Sequence, residues 1–297
     1  MTEDRLSLRR IENLTPAVKR WGREKTPSAR KTPRTRFRQV MTTVAGVLVV
    51  LTASAQAQSP NAPFPQPQAA AAVEAGALAA LERMGAYLRT LKAFQVEAKT
   101  TSEEVLDDGQ KIKYAGVVNI VARFPDRLRA EVENDRFSRH FLYDGKNFTL
   151  WARRVNYYAT IAAPKTIGLL ADLLEDQYGI EVPLSDLFLW GVPGWKSPGI
   201  SAALDVGPSQ VGGTTCEQYA FRQEGLDWQV WIQRGDYPLP RKLVITSLDD
   251  EARPQFTAVY TWNLAPSFNE AAFTFDPPSG AVRVLLAENA PAAGAGK

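Results

Sequence analysis

The chain has 297 residues with 35 Lys or Arg and 32 Asp or Glu; 12 of the basic and 4 of the acidic ones fall in positions 1–38, leaving 23 basic and 28 acidic residues for the rest. A mildly acidic body lacks the basic face that nucleic acid requires, so that class of partner is excluded. One cysteine, Cys216, rules out an intrachain disulfide, and one histidine, His140, leaves a histidine zinc site or a Ser-His-Asp triad without support.

The N-terminal stretch reads as a leader rather than as part of the fold. A basic run (Lys31, Arg34, Arg36, Arg38) leads into the apolar segment 40–51 and then into Ala55-Gln56-Ala57. That is the layout of a secretory signal peptide with an A-x-A cleavage site. A spanning helix needs roughly 20 apolar residues, so export with cleavage after Ala57 is the expectation over a retained anchor. The leader is assigned to 1–57 and a Pro/Ala-rich tether, with Pro60, Pro63, Pro65 and Pro67, to 58–72. A single domain then occupies 73–288, and a disordered tail 289–297.

The domain opens with Val73, Ala77, Leu81, Met84, Leu88 and Leu91 at helical spacing, one apolar stripe with Glu82, Arg83 and Arg89 off it. From Phe94 the period changes to two. Phe94, Val96 and Ala98 alternate with Gln95, Glu97 and Lys99, whereas 114–122 is apolar at nearly every residue and predicts a strand covered on both faces. Leu128, Ala130 and Val132 alternate with Arg127, Arg129 and Glu131 after the turn at Pro125-Asp126, and Asp144-Gly145 joins 137–143 to 148–152 in a hairpin. The strand rhythm breaks once. Thr166 is a fitting N-cap and Gly179 a fitting stop for a helix carrying Ile167, Leu170 and Leu174; a shorter helix, 184–190, and a Gly/Pro loop, 191–199, follow. Trp190 and Trp195 stand at that loop. Strands resume at 204–206, 216–222, 226–233, 242–247, 256–264 and 273–275. Cys216, inside one of them, reads as a small buried hydrophobe.

Short hairpin turns between successive strands imply antiparallel pairing. About eleven strands with only two or three helices to cover them imply a mainly β fold with some α: one curled antiparallel half-barrel, helices filling its concave side.

Particular residues then become familiar. Tyr143-Asp144-Gly145-Lys146-Asn147-Phe148-Thr149-Leu150-Trp151 resembles the "DGKxLW" hairpin of the LolA-type lipoprotein carriers, and Phe273-Thr274-Phe275-Asp276-Pro277-Pro278-Ser279-Gly280 resembles their closing "FTFxPPxG" segment. Asp126-Arg127-Leu128-Arg129-Ala130-Glu131-Val132 is similar to the third strand. The stretch 164–190 is closer to a sister family of uncharacterised predicted periplasmic proteins, a domain of unknown function. The resemblance implies a half-barrel lidded by the first helix and an inserted helical segment. In the carriers an Arg-Pro pair precedes the third strand, and its Arg bonds the lid helices. Here the order is Arg123-Phe124-Pro125, one residue out of register.

The function expected is that of a monomeric periplasmic binding protein holding a hydrophobic ligand, a lipid or lipoprotein acyl chain, with a carrier role implied by the resemblance. A chain of about sixteen carbons offers on the order of 12 kcal/mol gross at roughly 0.8 kcal/mol per CH2. Candidate lining residues are Val117, Val121, Leu128, Val132, Trp228, Val230 and Ile232 of the strands, with Leu81, Met84 and Leu88 of the first helix. Strand parity leaves open which face is concave. The alternative is an envelope protein-interaction or stress-sensing module that uses Trp195 and its loop. No G-x-S-x-G, H-E-x-x-H, C-x-x-C, P-loop or dinucleotide glycine pattern is present, so neither catalysis nor a cofactor or metal is expected.

Overall fold

The computed structural model describes residues 73–192 and 199–288; the leader, the tether, the tail and Trp195 lie outside the described residues. Helix α1 (Ala75–Thr90) comes first. Strands β1 (Ala93–Val105), β2 (Lys111–Arg123), β3 (Arg127–Asn134), β4 (Ser138–Tyr143), β5 (Asn147–Ala152) and β6 (Tyr157–Ala162) follow as an antiparallel meander. An insertion carries α2 (Ile167–Tyr178) and α3 (Asp186–Leu189). A second meander runs through β7 (Ala202–Val211), β8 (Thr214–Gln223), β9 (Leu226–Gln233), β10 (Pro240–Ser247) and β11 (Gln255–Asn263). A 3-10 turn (Glu270–Phe273) and the two-residue β12 (Val282–Arg283) close the chain.

All twelve strands belong to one open, curled sheet in the order β12-β6-β5-β4-β3-β2-β1-β11-β10-β9-β8-β7. The two meanders meet where β1 pairs with β11, Gln95 opposite Asn263 through Ser102 opposite Phe256. Side-chain parity then gives every strand one inward face. Phe94, Val96 and Ala98 of β1 are fully buried while Glu97 and Lys99 are exposed. Their neighbours across the ladders, Ile120 opposite Val96 and Tyr260 opposite Ala98, join the same core as the α1 stripe of Ala77, Leu81, Met84 and Leu88. Val73 falls outside that stripe: it precedes the helix and bridges Ala203 on the edge strand β7.

Four expectations are corrected. The run 114–122 is not covered equally, since Val118, Ile120 and Ala122 are buried and Val117 and Val121 sit half-buried on the outer, convex face. β-branched residues favour a strand on either face, so a continuous apolar run reports pairing rather than two-sided cover. The residues 157–162, given no strand by the sequence, form β6. The residues 273–275, read as a strand, hold instead the end of the 3-10 turn and a segment stopped by Pro277-Pro278, which offers no backbone donors for a ladder. The closing strand is β12, pairing parallel to β6, so the sheet is not wholly antiparallel.

The insertion is fixed to α1 by a backbone crossing. A methyl on Gly85 would lie 2.7 Å from the Gly191 nitrogen, and Gly191 itself has φ +76°, a conformation glycine adopts without strain. Both partners are backbone and neither can move aside. Gly85→Ala is therefore expected to lower stability by about 1–3 kcal/mol through overpacking. Gly76→Ala, on the same helix with open space around it, is expected to leave stability unchanged or raise it. Thermal unfolding of the two variants checks this; equal midpoints would show that the crossing is loose.

Candidate functional site: a cavity beneath the inserted helices

The insertion is tied down at both ends. At its start the Tyr143 hydroxyl donates to the Pro164 carbonyl, the Ile167 amide donates to Pro125 at 2.9 Å, and Thr166 caps α2 by accepting from the Leu169 amide at 3.2 Å. Gly179, with φ +64°, ends the helix. At its far end Arg89 of α1 donates to the carbonyls of Leu187 (2.5 Å) and Phe188 (3.0 Å), its guanidinium 5.2 Å from the centre of the Phe124 ring. Burial draws the Arg89 pKa down to about 10, which keeps the group charged at neutral pH. Charge-assisted bonds of this kind contribute about 1.5–3 kcal/mol each.

Arg123 is therefore not the latch. It lies on the convex face, paired with Glu270 at 2.5 Å, while the insertion is held by an arginine of the first helix. Nothing in the periodicity of α1 separates Arg89 from Arg83. The signal is geometric: only the last turn of the helix reaches the carbonyl end of α3.

Beneath the first helix the side chains that face the sheet are fully covered. Leu81, Met84 and Leu88 are 2% exposed or less, and Trp190, Trp228, Val230 and Leu128 fill the same core; Ile232 is buried beside them. A cavity of about 150 Å³ is bounded by Val118, Val132, Phe141, Ile245 and Phe256 of the sheet and by Ala171, Val182, Leu184 and Leu189 of the insertion. Thr100, Ser102, Asn134 and Ser185 add polar atoms, as do Arg139, Glu175, Glu181 and Asp186. A smaller chamber of about 70 Å³, under Tyr178, Ile180 and Leu286, shares Arg139, Phe141 and Glu181 with it. Leu184, on the wall of the larger cavity, has φ +53°, a conformation that costs a bulky residue about 1–3 kcal/mol.

Of the residues singled out from sequence, Val132 lines this cavity. Val117, Val121 and Arg123 face away from it, and Trp195 lies outside the described residues. Sequence reasoning missed Val118, Phe141, Val182 and Ile245. The first was one residue out of phase, and the others lie on elements whose juxtaposition only the curl of the sheet creates. Among the described residues, no helix is long and apolar enough to cross a membrane.

On the convex side His140 is 8% exposed, its Nδ1 3.4 Å from Glu131 Oε1, its ring 5.0 Å from that of Trp151, and its Nε2 without a hydrogen-bonding partner among the described residues. Burial depresses its pKa below 6.5 and outweighs the Glu131 carboxylate, which acts the other way; Arg129 and Arg153 add to the depression and Glu133 opposes it.

The family described as "Predicted periplasmic protein (DUF2092)" matches residues 77–287. No curated protein matches the sequence. Among solved structures, an uncharacterized conserved protein from Thermus thermophilus shares 12% identity over 71% of this chain and 99% of its own, with a TM-score of 0.42. The lipoprotein LppX of Mycobacterium tuberculosis shares 10% over 65% and 99%, TM-score 0.38. A LolA superfamily protein from Nitrosomonas europaea shares 8% over 67% and 97%, TM-score 0.31.

The buried imidazole yields a prediction of sign. Its folded pKa is lowered, so the unfolded chain binds the proton first as pH falls below 6.5. The stability due to neutral His140 is complete above that value and declines on acidification toward the folded-state pKa. His140→Phe is expected to flatten this limb of a plot of unfolding free energy against pH; an unchanged slope would remove His140 as its source.

Proposed function

The chain belongs to that family of predicted periplasmic proteins, and from this premise we propose that it binds a single apolar chain, of the kind carried by lipids and lipoproteins, between the concave sheet and the insertion. The observation that supports the reading is the cavity at Val118, Val132, Phe141 and Val182, which has apolar walls on both the sheet and the insertion. At about 150 Å³ it has room for a group the size of a six-carbon ring. A longer chain needs the insertion to lift.

Lifting it releases the two Arg89 bonds, about 3–6 kcal/mol, and uncovers Leu187, Phe188 and Trp190; sixteen buried methylenes offer on the order of 12 kcal/mol in return before ordering costs. The strained Leu184 lies on the part of the insertion that would move. Export through the leader, with cleavage after Ala57, would bring the protein to a compartment where such ligands occur.

Native mass spectrometry of the protein purified from the periplasm is expected to show an adduct of lipid mass. Val132→Phe, which fills the cavity from its wall, is expected to lose the adduct while shifting stability by less than about 3 kcal/mol. An adduct-free native mass under all conditions, or an adduct retained by the filled variant, would contradict the reading.

A further inference from the structure

The sheet has a second hollow, on the face turned away from the helices. After β11 the chain returns across the convex side of β3 to β6 as a strap. Glu270 bridges Arg123 at 2.5 Å and Arg127 at 3.0 Å, Phe275 packs on Trp151 and Tyr158 at 5.7 and 5.0 Å between ring centres, and Val282 pairs with Tyr157. Trp151 and Phe275 belong to two of the segments that carried the sequence resemblance, and they meet here rather than at the apolar cavity. Between strap and sheet lies an open groove of about 410 Å³, walled by Arg129, Glu131, His140, Trp151 and Arg153 on one side and by Phe275 and Asp276 on the other.

Strand β4 separates the two hollows. Arg139 and Phe141 face the concave cavity, and His140 and Leu142, next to them in sequence, face the groove. All six residues of β4 are buried because each face is covered by a different piece of chain, the insertion inside and the strap outside. A ligand in the groove therefore makes no contact with one in the cavity.

We propose that this convex groove is a binding site for a neutral saccharide. Three features of the wall select that class. Two guanidiniums and two carboxylates nearly cancel in charge, which leaves no field to hold an ion. Each is also a planar group with several donors or acceptors, a match for adjacent hydroxyls that donate and accept at once. Arg129 spends part of its capacity on Glu131 (2.8 Å) and Arg153 part on Glu133 (3.3 Å), and each guanidinium carries further N–H groups. Trp151 and Phe275 supply the apolar surface on which the C–H face of a sugar ring packs.

His140 completes the selection. Glu131 beside Nδ1 favours the proton on that nitrogen, so the lone pair is on Nε2, which is buried and orphaned. A buried acceptor without a partner is a contact still to be made. A hydroxyl that reaches Nε2 donates to it; a fully ionised carboxylate or phosphate cannot.

Because His140 is the sole histidine, its ring nitrogens are assigned without ambiguity in the full chain labelled with 15N-histidine. The proposal expects Nδ1 to carry the proton in the free protein. Titration with glucose and with N-acetylglucosamine should move the Nε2 resonance saturably, in the direction of hydrogen-bond acceptance, for at least one sugar. Two outward-lying variants, Arg153→Gln and Asp276→Asn, should each weaken that titration about tenfold, the loss of one bond to a charged group. A proton on Nε2, an Nε2 resonance unmoved by both sugars up to their solubility, or a titration unaffected by both variants would overturn it.

Discussion

A single curled sheet of twelve strands has to cover its concave face with whatever helix the chain supplies, and here that is α1 and one short insertion. The bond that makes the cover hold is the grip of Arg89 on the carbonyls of Leu187 and Phe188. It joins a helix near the start of the domain to one almost a hundred residues later, and the Gly85–Gly191 crossing lies beside it on α1. Without that grip the far end of the insertion would be held only by the Gly85–Gly191 crossing and by its buried side chains, Leu187, Phe188 and Trp190. The cavity, the strained Leu184 and the burial of Trp190 all depend on the insertion staying where this contact puts it.

The same economy explains why the space left over is where it is. Bulky residues at the C-terminal end of α1 share their core with Phe94, whose ring lies 5.9 Å from that of Phe188 and 5.2 Å from that of Trp262. Toward the β1–β2 turn the inward residues shrink to Thr100 and Ser102, and the insertion spans the gap without filling it. The hollow follows from the taper in side-chain size along β1, from Phe94 to Ser102.

Much of the fold was legible because it is written in short-range patterns. The α1 stripe, the alternation in β1 and β3, the Asp144-Gly145 hairpin and the Thr166 to Gly179 helix each depend on neighbours within a few residues. At Gly145 the requirement is plain: φ is +85°, which glycine adopts without strain. What the sequence hid is long-range. Val117 and Val118 are chemically identical neighbours, and only the direction of curl decides which lines the core. Arg123 sits one position from where the resemblance places a latch, and that single step in a strand turns it to the opposite face. Tyr157 to Ile161 alternates too weakly to announce β6, and Phe273-Thr274-Phe275 alternates cleanly yet serves the strap.

The proposed binding role requires that the space under the insertion receive an apolar chain when the insertion lifts. A crystal structure of the protein with palmitate tests it most directly. Continuous density is expected between Val118, Val132 and Phe141 on one side and Ala171 and Val182 on the other, with the insertion displaced from its present position. Palmitate bound elsewhere, with the cavity still closed and the Arg89 contacts intact, would contradict it.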